Sequence, residues 1–174
     1  TAGITTAGDV RFGVALDEPP GEWVLINPDN ARQAMALLLA GEMAVVQGDL
    51  VGDADWLRGS DLLLGTDGRV KLTVTSQAVV PSENELIFMK KNLVVGVGCE
   101  RGTDAQELVD LVSDTLKANG LEPKTVSVVT SLDVKADEVA VHALAEHLGL
   151  GLQGVAILDQ CRDVRRALHV FLEE

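Results

Sequence analysis

A glycine-rich segment in the middle of the chain, residues 96–103 (GVGCERGT), carries residue types that suit a ligand-binding loop. Its glycines let the backbone approach a ligand closely, and free N–H groups at the start of a following helix favour an anionic oxygen. Arg101 adds a fork-shaped binder of carboxylates. The GxGxxxG spacing is one residue longer than the dinucleotide fingerprint, and Asp133 lies too far along to be the acidic residue expected about 20 positions on. Anion binding, nucleotide binding and a tight turn that needs glycine stay open.

A second segment, residues 130–138 (TSLDVKADE), gathers hydroxyls, an amine and carboxylates. Lys135 could bind a substrate carboxylate, and Asp137 or Glu138 could position a water molecule. Helical periodicity predicts Asp137 on the core side of the following helix, where a carboxylate needs a cap or a ligand. The alternative is that both acids merely favour the positive end of that helix.

Other groups of reactive type have simpler interpretations. Glu138, His142 and Glu146 recur every four residues and could hold a metal, but a solvated polar helix face is the favoured interpretation, and no metal is predicted. Cys99 could act as a nucleophile, although no histidine is placed beside it by sequence, and packing of a small residue in a turn is favoured. Cys161 is predicted to lie in the core.

Apolar patterns place both segments directly after β-strands. Residues 93–97 and 125–130 predict buried strands, and residues 155–158 predict a third. Helices are predicted between them and at the end of the chain. The first helix follows a capping box at residues 103–106, ends at Asn119-Gly120 and is predicted to bury Leu108, Val112 and Leu116. The second runs from Asp137 to His147 and is predicted to bury Val141 and Leu144. The last is capped by Asp159, and its predicted inward residues are Cys161, Val164, Leu168 and Phe171.

Strands that alternate with helices predict a doubly wound, mostly parallel α/β domain. Ligands of such sheets bind at the carboxyl ends of the strands, and this rule selects residues 98–103 and 131–137. The two segments are therefore expected to lie at the same edge of one sheet.

A small α/β domain is predicted ahead of this unit. Asn27 and Pro28 are expected to start a helix that ends at Gly41, with Asn27 as the N-cap. Strands are expected around it, and an acidic loop is expected between the second and third. The predicted strands are residues 23–26, 43–46, 61–65 and 71–75. Residues 76–91 are expected to be irregular, so we predict domains at 1–91 and 92–174.

Composition excludes several classes of protein. The chain has 174 residues, 47% of them apolar, and a formal net charge of −13. Such a chain can bury a core, so it is not disordered, and it is poorly suited to bind nucleic acid. No run of about 18 apolar residues predicts a membrane span. Two cysteines do not make a disulfide framework, so we expect a reducing, cytoplasmic location.

The two segments together resemble the C-terminal domain of the cobalamin biosynthesis protein G family. The match lies in residues 92–103 (NLVVGVGCERGT) and residues 131–138 (SLDVKADE), in order and spacing. The same domain occurs alone in the cobalamin biosynthesis protein E family. Residues 23–28 (WVLINP) and the helix after them resemble the central domain of the protein G family. Residues 4–7 resemble the end of its N-terminal domain, so a preceding part is expected to be missing.

The resemblance implies a cobalt-precorrin-5A hydrolase, which opens a δ-lactone on the corrinoid precursor and releases acetaldehyde. Glu138, Asp137 and Lys135 are the implied catalytic residues. The implied substrate-binding residues are Gly96, Gly98, Cys99, Arg101, Gly102, Thr103 and Ser131.

No cofactor of the protein's own is implied, because cobalt arrives with the substrate. A homodimer and contacts with other enzymes of the pathway are left open. The alternative functions are a non-catalytic carrier of a precorrin and a nucleotide-binding module. The shorter end of the chain, residues 151–174, departs from the pattern of the family.

Overall fold

The computed structural model describes residues 11–132, 137–150, 154–157 and 166–171, with the backbone alone at residues 157 and 166–171. The chain divides into two compact units, Thr1–Lys90 and Lys91–Glu174. Each unit has its own cluster of buried apolar residues. The expectations for residues 4–7, Lys135 and Cys161 lie outside the described residues.

The first unit is built on a mixed β-sheet. Its described elements are β1 (Trp23–Leu25), α1 (Ala31–Leu39), β2 (Ala44–Gln47), α2 (Asp55–Arg58), β3 (Val70–Val74) and β4 (Glu85–Lys90). The strand order is β1-β4-β3-β2, in which β2, β3 and β4 run parallel and β1 runs antiparallel to β4. The α/β class predicted for this unit is therefore confirmed.

Asn27 has a different role from the predicted helix cap. A short 3₁₀ turn, Pro28–Asn30, precedes α1, and the side chain of Asn27 makes no capping hydrogen bond. Instead its Nδ2 donates to the Glu85 carbonyl at 2.7 Å, and its Oδ1 accepts from the Ile87 amide at 2.9 Å. Asn27 thus joins the loop after β1 to the backbone of β4.

Two strand predictions in this unit are wrong. Residues 61–65 were expected to form a strand, but a single isolated bridge joins Leu64 to Ala44. Residues 85–90 were expected to be irregular and instead form β4, which pairs with strands on both sides. A strand buried on both faces shows no alternation of apolar and polar residues, and Pro81 before this strand and Lys90 at its end obscured the apolar run.

The second unit is built on a parallel sheet. Its described elements are β5 (Leu93–Gly98), α3 (Ala105–Ala118), β6 (Val126–Ser131), α4 (Val139–His147), β7 (Val155–Ile157) and β8 (Arg166–Phe171). The strand order is β7-β6-β5-β8, and every described pair is parallel. The predicted parallel α/β sheet is therefore confirmed.

The helix predicted at the end of the chain is wrong over the residues that are described. Leu168 and Phe171 lie in strand β8, which pairs in parallel with β5, so that Phe171 is opposite Gly98. A short apolar run does not by itself separate a strand from a buried helix, which explains the error. Asp159 and Val164, which were expected in the same helix, lie outside the described residues.

The order in which strands are added to the sheet reverses at β5. The chain passes from β5 to β6 and β7 on one side, and β8 lies on the other side of β5. Open α/β sheets bind ligands outside the carboxyl ends of the strands at such a reversal. The carboxyl end of β5 is Gly98, so the glycine-rich segment begins at the position that this rule selects.

The helices of this unit bury the faces predicted for them. Helix α3 buries Leu108, Val112 and Leu116, and α4 buries Val141 and Leu144. Both faces join the cluster that includes alternate residues of β5 together with Val126 and Val129 of β6. Across the described ranges, no helix is long and apolar enough to cross a membrane.

Candidate functional site

The loop between β5 and α3 is shaped by Asp104. Its side chain accepts hydrogen bonds from the amides of Gln106 at 2.9 Å and Glu107 at 3.2 Å, so Asp104 is the N-cap of α3. The predicted capping box put the cap at Thr103, which is wrong by one residue, because the Thr103 hydroxyl donates to the Glu100 carbonyl at 2.9 Å. The N–H groups expected to bind an anionic ligand at this helix start are therefore occupied by Asp104.

A part-buried hydrogen bond joins the two segments. The Gly102 amide donates to Oε1 of Glu138 at 3.1 Å, and Glu138 is only 7% exposed. Gly102 has a φ of +77°, a conformation that costs glycine least. The segments that the sequence placed at one edge of the sheet are thus in direct contact.

An exposed ion pair forms a second contact between the same segments. Arg101 Nη1 lies 3.4 Å from Oδ2 of Asp137, and their side chains are 65% and 74% exposed. Asp137 was expected on the core side of its helix, which is wrong. Helix α4 begins at Val139, so Glu138 turns inward and Asp137 faces solvent. An ion pair this exposed contributes little to stability, about 0–1 kcal/mol.

Several other predicted site residues are engaged inside the unit. The Ser131 hydroxyl is buried and donates to the Val97 carbonyl at 3.0 Å, which ties β6 to β5. Gly96 is buried within β5, and Gly98 ends that strand. Cys99 has a free thiol, is half-buried and packs against the apolar cluster of the second unit. The structure therefore gives these four residues contacts that hold the loop in place.

Thr130 lies in the second segment but is not one of the predicted site residues. It is fully buried in β6, and its hydroxyl has no hydrogen-bond partner among the residues that the structure describes. In the sheet it lies between Gly96 of β5 and Ala156 of β7. The sequence does not reveal a buried hydroxyl without a partner, because the hydroxyl of a threonine in a β-strand usually makes a hydrogen bond.

The remaining predicted site residue, Lys135, lies outside the described residues, as do its neighbours 133–136. Leu132 and Val139 stand on either side of this gap, and both are exposed apolar residues. Within the ranges that the structure describes, no group of three or more His, Cys, Asp and Glu side chains could hold a metal. This statement covers the set of Glu138, His142 and Glu146.

The first unit contains a buried carboxylate with a complete set of donors. Glu85 accepts from the Thr73 hydroxyl at 2.5 Å, and its other oxygen accepts from the amide and the hydroxyl of Ser82. Burial alone would raise the pKa of Glu85. The hydrogen bonds from Thr73 and Ser82, helped by the charge of Lys71, outweigh burial and hold that pKa below its ordinary value of 4.5.

The second unit matches a known protein family. Residues 93–161 match the family described as "Cobalamin synthesis G C-terminus". The matched range starts at the first residue of β5 and includes both segments of the site. The resemblance predicted from those segments is therefore confirmed.

Two curated relatives are similar to the chain. It is 41% identical to Protein CobE of Sinorhizobium sp over 58 residues, which are 33% of this chain and 38% of that protein. It is 26% identical to the cobalt-precorrin-5A hydrolase of Priestia megaterium over an alignment of 167 positions, which covers 84% of this chain and 44% of that protein. The chain thus spans less than half the length of either relative. No solved structure matches it significantly.

Proposed function

Because residues 93–161 carry the C-terminal domain of the cobalamin synthesis G family, we propose that this protein acts in cobalamin biosynthesis and binds a precorrin or cobalt-precorrin. The observation that carries the proposal is the contact between the two family segments. The Gly102–Glu138 hydrogen bond and the Arg101–Asp137 ion pair bring them together at the carboxyl end of β5. Parallel α/β sheets bind their ligands at this place.

Arg101 is the group best suited to the carboxylates of such a ligand. Its guanidinium is largely exposed, and its partner Asp137 holds it only weakly. A ligand carboxylate could take two parallel hydrogen bonds from it, which is a stronger arrangement. Local charge of this kind allows an anionic ligand to bind a chain whose net charge is −13. Cobalt would enter with the substrate, and we propose no cofactor of the protein's own.

The first candidate reaction is that of a cobalt-precorrin-5A hydrolase. Asp137 is the better candidate for the base, because it faces solvent whereas Glu138 is buried against Gly102. Water would add to the lactone carbonyl while Asp137 takes its proton and returns it to the ring oxygen as the C–O bond breaks. The amides of residues 99–101 and 103 are the candidates to stabilise the oxyanion.

The second step would release the two-carbon unit. The new alcohol loses its proton, the adjacent carbon–carbon bond breaks in a retro-aldol cleavage, and acetaldehyde leaves while the macrocycle carbon takes up a proton. Lys135 is the candidate that would assist this step.

A carrier of a precorrin is the second candidate function. The stretch of higher identity is the one shared with Protein CobE. Internal hydrogen bonds also occupy three polar groups of the site, which are the hydroxyls of Ser131 and Thr103 and the amide of Gly102. Such a site offers a ligand few groups that could take part in chemistry. It would hold the precorrin and release it unchanged.

Incubation with cobalt-precorrin-5A separates the two candidates. Release of acetaldehyde supports the hydrolase, and a shift of the corrinoid absorption spectrum without acetaldehyde supports the carrier. If neither signal appears at substrate concentrations up to the millimolar range, the proposal of a corrinoid ligand is wrong. Asp137→Asn is the matched variant, since it keeps the shape of the side chain and removes the base.

The nucleotide-binding alternative loses support from the structure of the loop. A phosphate would need the amides at the start of α3, and the carboxylate of Asp104 already accepts from two of them. A cytoplasmic location stays part of the proposal.

A further inference from the structure

We propose that Glu138 is a positioning residue, which sets the conformation of the glycine-rich loop for the ligand, and not the base that activates water. This inference rests on the proposed function for the ligand, but the contact that carries it can be tested without one.

Glu138 stands at the N-cap position of α4, yet its side chain makes no capping hydrogen bond there. An aspartate at this position ordinarily accepts from the first amides of its own helix, as Asp104 does for α3, whereas the longer side chain of a glutamate can reach a neighbouring segment. The carboxylate of Glu138 turns instead to the neighbouring loop and accepts from the Gly102 amide at 3.1 Å.

Burial makes this contact stronger than the exposed one beside it. Glu138 is 7% exposed, whereas both members of the Arg101–Asp137 pair face solvent. A hydrogen bond to a largely buried carboxylate is charge-assisted and is screened less by water than an exposed ion pair.

The hydrogen bond to Glu138 acts directly on Gly102, the residue at which the loop turns. Its φ of +77° turns the chain between the carboxyl end of β5 and the cap of α3. Among the described residues, no heavy atom lies within 4 Å of the place where a Cβ would stand, so this side of the turn is open. The Thr103 hydroxyl closes the turn from within by donating to the Glu100 carbonyl, and the hydrogen bond to Glu138 ties it to the start of α4. Arg101 is the residue next to Gly102.

Hydrogen exchange tests the contact in the absence of ligand. We expect Glu138→Ala to raise the exchange rate of the Gly102 amide about tenfold or more, and Glu138→Gln to raise it by less than about threefold, because the amide oxygen can still accept. Asp104→Ala is the matched control, since it removes a carboxylate that accepts from the amides of Gln106 and Glu107. It should raise exchange at those two amides and leave Gly102 unchanged.

Binding of cobalt-precorrin-5A tests the consequence for the ligand. We expect Glu138→Gln to keep the affinity within about threefold of the wild type and Glu138→Ala to weaken it about tenfold. If the wild type releases acetaldehyde, Glu138→Gln should keep most of the turnover. The glutamine can still accept from the Gly102 amide and hold the loop, although it cannot act as a base.

Two results would overturn the inference. The first is Gly102 exchange that is unchanged in Glu138→Ala or rises equally in Asp104→Ala. The second is loss of turnover in Glu138→Gln at unchanged affinity, which would make Glu138 the base. If the wild type binds no corrinoid, the proposed function fails, and the exchange experiment still decides whether Glu138 holds the loop.

Discussion

Replacing Thr130 by valine should stabilise the second unit. Threonine and valine have almost the same shape and share a branched Cβ, so the change exchanges a hydroxyl for a methyl group and keeps the preference for a strand. The hydroxyl of Thr130 is fully buried and finds no hydrogen-bond partner within the described parts of the chain. A buried polar group without a partner costs about 1–3 kcal/mol. We therefore expect Thr130→Val to raise the free energy of unfolding by about 1–2 kcal/mol.

The assay must report on the second unit. The two tryptophans of the chain, Trp23 and Trp56, both lie in the first unit, so tryptophan fluorescence follows that unit. Hydrogen exchange of the amides in β5 and β6 follows the second unit, and a gain of about 1.4 kcal/mol slows it about tenfold where exchange needs unfolding of the unit.

Thr73→Val is the matched control, because it makes the same chemical change at a buried hydroxyl that does have a partner. The Thr73 hydroxyl donates to the carboxylate of Glu85 at 2.5 Å. Its loss should destabilise the first unit by about 1.5–3 kcal/mol, which is the range for hydrogen bonds to charged groups. The two valine variants should therefore have opposite signs. Destabilisation by Thr130→Val of about 0.5 kcal/mol or more would refute the reasoning, because it would mean that the hydroxyl is satisfied in solution.

Three further predictions concern the two units. Gly48→Ala should destabilise the first unit by about 2–4 kcal/mol, because Gly48 has a φ of +113° and an added Cβ would lie 2.1 Å from the Val74 carbonyl oxygen. Urea unfolding followed by tryptophan fluorescence measures this loss, and a loss below about 1 kcal/mol would contradict the prediction. The lowered pKa of Glu85 means that its contribution is present above about pH 4.5 and is lost as the pH falls through the folded value, so Glu85→Gln should flatten the acid side of the stability curve. Equal slopes for wild type and variant would count against it. Arg101→Ala should weaken binding of cobalt-precorrin-5A about tenfold and change the free energy of unfolding by less than about 1 kcal/mol, and unchanged affinity would remove Arg101 from the site.

Sequence reasoning predicted most elements of the second unit. The repeat of Leu108, Val112 and Leu116 predicted the buried side of α3, and the β-branched runs predicted β5 and β6. It failed for β4, which is buried on both faces and therefore shows no alternation, and for β8, because a short apolar run does not by itself separate a strand from a buried helix. Whether such a segment forms a strand depends on partner strands that lie far from it in the sequence.

The site was predicted at the level of segments more accurately than at the level of residues. The rule for parallel sheets brought the two loops together, and the structure joins them through Gly102 and Glu138. At a helix start, however, a shift of one residue changes which side chain faces the core and which faces solvent. Asp104 caps α3 in place of Thr103, and Glu138 turns inward in place of Asp137. Capping geometry depends on backbone angles that the sequence pattern does not specify.

Protection from hydrogen exchange on adding cobalt-precorrin-5A tests the central claim most directly, which is that the carboxyl end of β5 and the start of α4 form a corrinoid site. The claim predicts that the ligand slows exchange most in residues 99–104 and 137–139, with smaller effects in the first unit. Protection confined to the first unit, or none at saturating ligand, would contradict it.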